Sequence, residues 1–212
     1  MVRAQGARVR LLLFAMLACG SLQAAAAPLP GPLRQALDRL NRMEGFSAAF
    51  TQTLSYRDGS VERYRGRLAV RRPGMFRWHY SFPYEQLYVS DGKAIWHYEP
   101  DLLQAERLSR LQAVDSVAMA LLDGRIKPDE VALLSSSPAP DGSMRAFTIR
   151  IRGGMVVTLT LDRRGRVAAV EQRDELGNRN RILLSEVVER APDRARFRFT
   201  PPRGVDVITE GE

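Results

Sequence analysis

The 212 residues carry a formal charge of +8, and they fit a single domain once the N-terminus is set aside. Removing Arg3, Arg8 and Arg10 with that segment brings the charge to about +5, still basic enough for attraction to anionic membranes or an acidic partner. No run of the sequence concentrates basic residues beside stacking aromatics, so nucleic acid is not expected as a partner.

The first residues read as an export signal. Three arginines precede the apolar run Leu11 to Ala18, and Ala24-Ala25-Ala26-Ala27 offers an A-x-A site. The run is too short to span a bilayer. Residues 1–26 are therefore expected to be a cleaved signal peptide, with Ala27 as a neighbouring cut, and 27–212 one mature periplasmic domain. Cys19 follows Met16-Leu17-Ala18, a degenerate lipoprotein box that bulky Leu17 fits poorly. An acylated Cys19 would anchor the chain to a membrane instead. With cleavage after Ala26, the mature chain holds no cysteine and no disulfide.

Residues 32–44 predict an amphipathic helix. Pro32 suits the first turn, Gly45 the end, and Leu33, Ala36, Leu37 and Leu40 recur at helical spacing. From Phe46 the period becomes two, with Phe46, Ala48, Phe50 and Leu54 alternating with polar residues. Turn signals then recur at Asp58-Gly59, Pro73-Gly74, Asp91-Gly92, Gly153-Gly154, Gly165 and Gly177-Asn178. Strands are expected near 61–71, 75–81, 86–90, 93–98, 144–152, 155–162, 166–173, 179–188 and 194–199, as a meander of hairpins. In the first hairpin a three-residue loop, Asp58-Gly59-Ser60, sets Phe50 opposite Leu68 and Leu54 opposite Tyr64. A two-residue turn at Asp91-Gly92 pairs Val89 with Ala94 and Leu87 with Trp96.

Between Asp101 and Leu134 the strand pattern breaks. Val114, Val117, Ala118, Leu121 and Leu122 fit a short helix, Pro128-Asp129-Glu130 another turn, and Ser135 to Gly142 a loop. The fold class is α+β: a strongly curved antiparallel sheet, an unclosed β-barrel of about eleven strands, with two or three helices as a lid. Such a half-barrel encloses an apolar concavity.

The chain resembles the outer-membrane lipoprotein carrier family, LolA. Phe50-Thr51-Gln52, Arg72-Pro73-Gly74-Met75-Phe76-Arg77-Trp78, Pro83, Glu85-Gln86 and Val89-Ser90-Asp91-Gly92-Lys93 carry the resemblance. Trp96, Tyr98 and Phe197-Arg198-Phe199-Thr200-Pro201-Pro202-Arg203-Gly204-Val205 extend it; residues 101–142 match poorly. The resemblance implies a non-enzymatic monomer. It would take lipoproteins by their acyl chains from an inner-membrane ABC-type releasing complex and pass them to an outer-membrane receptor. A second reading is a paralogue carrying another exported lipid. Each CH₂ left in water costs about 0.8 kcal/mol, so a bare ~16-carbon chain costs roughly 10 kcal/mol.

The same resemblance implies the site. Arg72 matches an arginine that bonds the lid helices and latches the empty cavity. Phe50, Leu54, Leu68, Phe76, Trp78, Val89 and Trp96 are expected along the acyl-chain cavity, and Leu37, Leu40, Val117 and Leu121 on the lid. His79 and His97 each lie opposite their strand's tryptophan and are expected toward solvent. No metal, cofactor or catalytic set is expected, and Ser135-Ser136-Ser137 lacks a hydrolase elbow.

Overall fold

A computed structural model describes residues 28–108, 126–138 and 145–209. The signal segment, Cys19, the helix expected around 114–124 with Val117 and Leu121, and part of the loop ending at Gly142 lie outside the described residues.

Helix α1, Gly31–Arg42, buries Leu33, Ala36 and Leu37 and half-buries Leu40. Pro32 in the first turn removes an amide that the helix could not satisfy. Arg39 and Arg42 sit in the last turn, where cations meet the unpaired carbonyls. The helix stops before the expected 44: Met43 is already extended, and Gly45 opens the first strand instead of capping the helix.

Among the described residues twelve strands form one sheet. In chain order they are β1 (Gly45–Ser55), β2 (Val61–Arg71), β3 (Met75–Phe82), β4 (Gln86–Asp91), β5 (Ile95–Glu99) and β6 (Gln104–Leu108). The second half adds β7 (Val131–Pro138), β8 (Arg145–Ile151), β9 (Val156–Leu161), β10 (Val167–Arg173), β11 (Arg179–Val188) and β12 (Asp206–Thr209). Their order across the sheet is β12-β6-β5-β4-β3-β2-β1-β11-β10-β9-β8-β7, so β11 returns to β1 and joins two meanders. All neighbours are antiparallel except β12 beside β6. The end strands do not meet. Register breaks at Ser47/Ala49, Arg65/Gly66, Leu133/Ser135 and Val167/Ala169 add local bend.

Three strands escape the sequence pattern: β6, β7 and β12. β7 includes the serines expected in a loop. It is an edge strand that buries only Val131 of its side chains, so the ladder to β8 rather than an apolar stripe makes it a strand. Conversely, 194–199 is not a strand. Arg194–Phe197 forms a single 3₁₀ turn, with Asp193 accepting from the Ala195 amide. One α-helix stands among the described residues where two or three were expected, and a 3₁₀ turn occupies Pro128–Glu130.

Both argued registers are off by two residues, which preserves which face each residue takes. Phe50 lies opposite Gly66 and Leu54 opposite Glu62. The loop is Arg57-Asp58-Gly59, closed by the Tyr56 amide donating to the Ser60 carbonyl at 2.9 Å. That choice puts Gly59, at φ +88°, where the loop demands a left-handed residue, a place Ser60 fills badly. In the next hairpin Val89 pairs with Trp96 and Leu87 with Tyr98. There Asp91 Oδ1 accepts from the amides of Lys93 and Ala94, both at 2.9 Å, which widens the turn beyond two residues.

Candidate functional site

The sheet is buried on its inner face and, over β3–β6 only, on part of its outer one. On the inner face, Phe46, Ala48, Phe50, Leu68, Val70, Phe76 and Trp78 join Leu33, Ala36 and Leu37 of α1 in one core, with Leu40 packed against it. The far half adds Phe147, Ile149, Leu159, Val170 and Ile182. The outer side of β3–β6 carries a smaller cluster. Val89 is fully buried there, the Arg194–Phe197 turn lies against β3 and β4, and Phe199 packs 5.8 Å from Trp96 and 5.4 Å from Tyr98, centre to centre.

Phe50, Leu68, Phe76 and Trp78 thus stand where a cavity wall would be, and Leu37 and Leu40 where its cover would be. Leu54 shares the inner face but lies at its wet end, beside a recess of about 250 Å³ lined also by Tyr56, Gln172 and Asn180. Val89 and Trp96 do not belong to the cavity. Val89 pairs with Arg77, and Arg77 alternates with inward Phe76 and Trp78, so both residues point outward under the C-terminal segment. For the same reason His97 faces inward, against expectation. Its ring stacks on Tyr88 at 4.2 Å, and burial pushes its pKa down against the upward pull of Glu99 and Glu106. His79 does stay outside, 2.9 Å from Glu85.

Tyr80, Tyr88 and Gln52 were not singled out for the wall. Tyr80 meets Phe50 edge-on at 5.1 Å and lies 6.3 Å from Trp78. Its hydroxyl donates to Gln52 Oε1 at 2.9 Å, and Gln52 Nε2 donates to Asn180 at 3.1 Å. The signal was present: Gln52 sits between Phe50 and Leu54 on an apolar period, and a polar residue there must find partners. The Phe50 ring has space because its neighbour is Gly66. A Cβ at Gly66 would lie 2.8 Å from Phe50 Cε1 and would overlap the His79 carbonyl.

Three polar ties hold α1 on this face. Arg72 Nη1 donates to the Leu40 carbonyl at 2.5 Å and to the Met43 carbonyl at 2.7 Å. Arg39 makes a forked pair with Glu189, its Nε 2.8 and 2.9 Å from the two oxygens. Asn41 Nδ2 donates to the Ile126 carbonyl at 3.0 Å. Beneath the end of α1 a crevice runs between Ala36, Leu40, Met43, Phe46, Val167 and Leu184, with about 20 Å³ of free interior. That is room for about one water molecule. As it stands, the crevice is too small for an acyl chain.

A greasy half-barrel with a tied helical cover defines a carrier of apolar chains, and comparison with known proteins agrees. The model of the outer membrane lipoprotein carrier protein LolA matches residues 41–200, and the chain belongs to that family. It is 31% identical over 201 residues to the outer-membrane lipoprotein carrier protein of Neisseria gonorrhoeae, covering 93% of this chain and 97% of that one. The protein of the same name from Methylibium petroleiphilum is 36% identical over 184 residues, covering 82% and 90%. An uncharacterized conserved protein from Thermus thermophilus, solved by crystallography, shares the fold at a TM-score of 0.53 and 16% identity, over 83% of this chain and 98% of that one.

Proposed function

We propose that the protein carries lipoproteins across the periplasm by sheltering their acyl chains between α1 and the inner face of the sheet. The observation that carries this reading is the apolar inner face under a cover tied by a few polar bonds. Burying an acyl chain against Phe50, Phe76 and Trp78 offsets the cost of exposing it to water. The cover is held by groups that can let go. Entry of a chain lifts α1 and breaks the Arg72 bonds, and re-forming them expels the chain. Such a carrier binds loosely enough to release. It works as a monomer after removal of residues 1–26, loaded by an inner-membrane ABC-type complex and unloaded by an outer-membrane receptor, without catalysis of its own.

The test is to purify the mature protein from the periplasm and identify its cargo by mass spectrometry. Diacylated and triacylated proteins are expected. Free small lipids alone would overturn the reading in favour of a paralogue with other cargo, and an acylated Cys19 would replace the carrier with an anchored receptor.

A further inference from the structure

The outward side of the middle strands carries a surface that acyl-chain binding leaves unused. In β2, Arg63, Arg65 and Arg67 alternate with inward residues, and all three are exposed. The register sets them across from Thr53, Thr51 and Ala49 of β1. On the other flank of β1, Thr53 faces Arg181 and Ser55 faces Arg179, which in turn pairs with Arg173 of β10. Short side chains of β1 therefore floor a strip about 10 Å wide between two arginine ridges.

Six arginines meet two carboxylates here. Glu171 lies 3.4 Å from Arg181 and 3.7 Å from Arg173, and Glu186 lies 3.2 Å from Arg67. Arg63 and Arg179 have no carboxylate partner among the described residues, and Arg65 lies 4.6 Å over the Phe82 ring. Arg173 directly opposite Arg179 is a like-charge pair that a sheet disfavours. A merely solvated face does not call for such a pairing. Around the arginines stand exposed Phe82, Tyr84, Val61 and Leu183, Tyr84 at 68%.

We infer that this face docks on anionic lipid headgroups. Guanidinium groups take phosphate oxygens in a fork, and aromatic and aliphatic side chains set singly among cations hold a protein at the headgroup level. Headgroups can rearrange to meet each arginine, which one rigid acidic protein cannot, so a lipid surface fits this strip better. No stretch of sequence shows the face, because strand register collects its arginines from three separate segments.

The test floats the cargo-free mature chain with vesicles of phosphatidylglycerol and phosphatidylcholine, against vesicles of phosphatidylcholine alone. Binding to the anionic vesicles is expected, weakening as salt rises. The variant Arg63→Gln/Arg65→Gln/Arg181→Gln should partition about a hundredfold less, at about fivefold per arginine. The corresponding Lys variant should keep most of the binding, and Arg63→Gln alone should lose about fivefold if the triple variant fails to fold. Equal binding to neutral vesicles, or full binding by the Gln variants, overturns the assignment. So does no binding to either vesicle, which would give the face to an acidic protein.

Discussion

Arg72 Nη1 reaches the Leu40 and Met43 carbonyls at 2.5 and 2.7 Å, so the turn between β2 and β3 is bonded to the end of α1. A cation here meets the Leu40 carbonyl, which otherwise accepts only a long bond from the Met43 amide at 3.3 Å, and the negative end of the helix dipole. Hydrogen bonds to a charged donor contribute about 1.5–3 kcal/mol each. Arg72→Leu, which loses two such bonds, is predicted to lower the unfolding free energy by about 3 kcal/mol or more. Urea unfolding measures that loss. The variant should still take up lipoprotein, because loosening α1 opens the cavity, but fail to pass it on. Normal hand-over to an outer-membrane receptor by Arg72→Leu would exclude the latch.

The two tryptophans separate the two faces. Trp78 is 1% exposed on the inner face, whereas Trp96 packs under Phe199 on the outer one. Trp78→Leu should abolish uptake of a fluorescent fatty acid, and Trp96→Leu should leave it unchanged. Both should cost stability, with truncation of Trp78 to Ala costing about 3–5 kcal/mol. Equal loss of uptake in the two variants would show that the faces are not separate in function.

Gly66 gives a third expectation. It is half-buried in β2, where most residues would strengthen a strand. A Cβ there meets the His79 backbone and the Phe50 ring, and backbone cannot step aside. Gly66→Ala is expected to destabilise by about 2 kcal/mol or more, the cost of overpacking a filled site. Thermal melting checks it. Phe50→Leu in the same chain should recover part of the loss, since it withdraws one of the two obstacles.

What could be read from the sequence follows from which signals are local. Alternation around Phe46 to Leu54 and in Phe76-Arg77-Trp78 gave the correct faces because the period of two is intrinsic to a strand. Registers slipped by two residues because they depend on turn chemistry: the left-handed glycine at Gly59 and the Asp91 side chain capping two amides. Val89 and Trp96 were misplaced for another reason. Their strands are apolar on both sides, since a C-terminal segment about a hundred residues later in the chain covers the outer one. β7 and β12 were missed because edge strands owe their form to a neighbour's ladder, which no local pattern announces. Arg72 was singled out through a motif; its carbonyl partners lie at the end of a helix that only the tertiary fold brings near.

His97 supplies a prediction about pH. Its ring is stacked on Tyr88 inside the sheet, with Glu99 Oε2 at 4.0 Å and Glu106 opposite on β6. Desolvation outweighs these two carboxylates and holds the folded-state pKa below the ordinary imidazole value of about 6.5. The folded chain therefore binds this proton less readily than the unfolded chain does. Stability linked to His97 is complete above the unfolded value and is lost as pH falls from about 6.5 through the folded pKa. His97→Phe keeps a ring against Tyr88 and removes the titration. Urea unfolding of wild type and variant, compared at neutral pH and through the acidic window, should show wild type losing more stability than His97→Phe. Parallel profiles would mean that the site is wetter than its burial indicates. A wild type that gains on the variant toward acid would mean that Glu99 and Glu106, not desolvation, govern the ring.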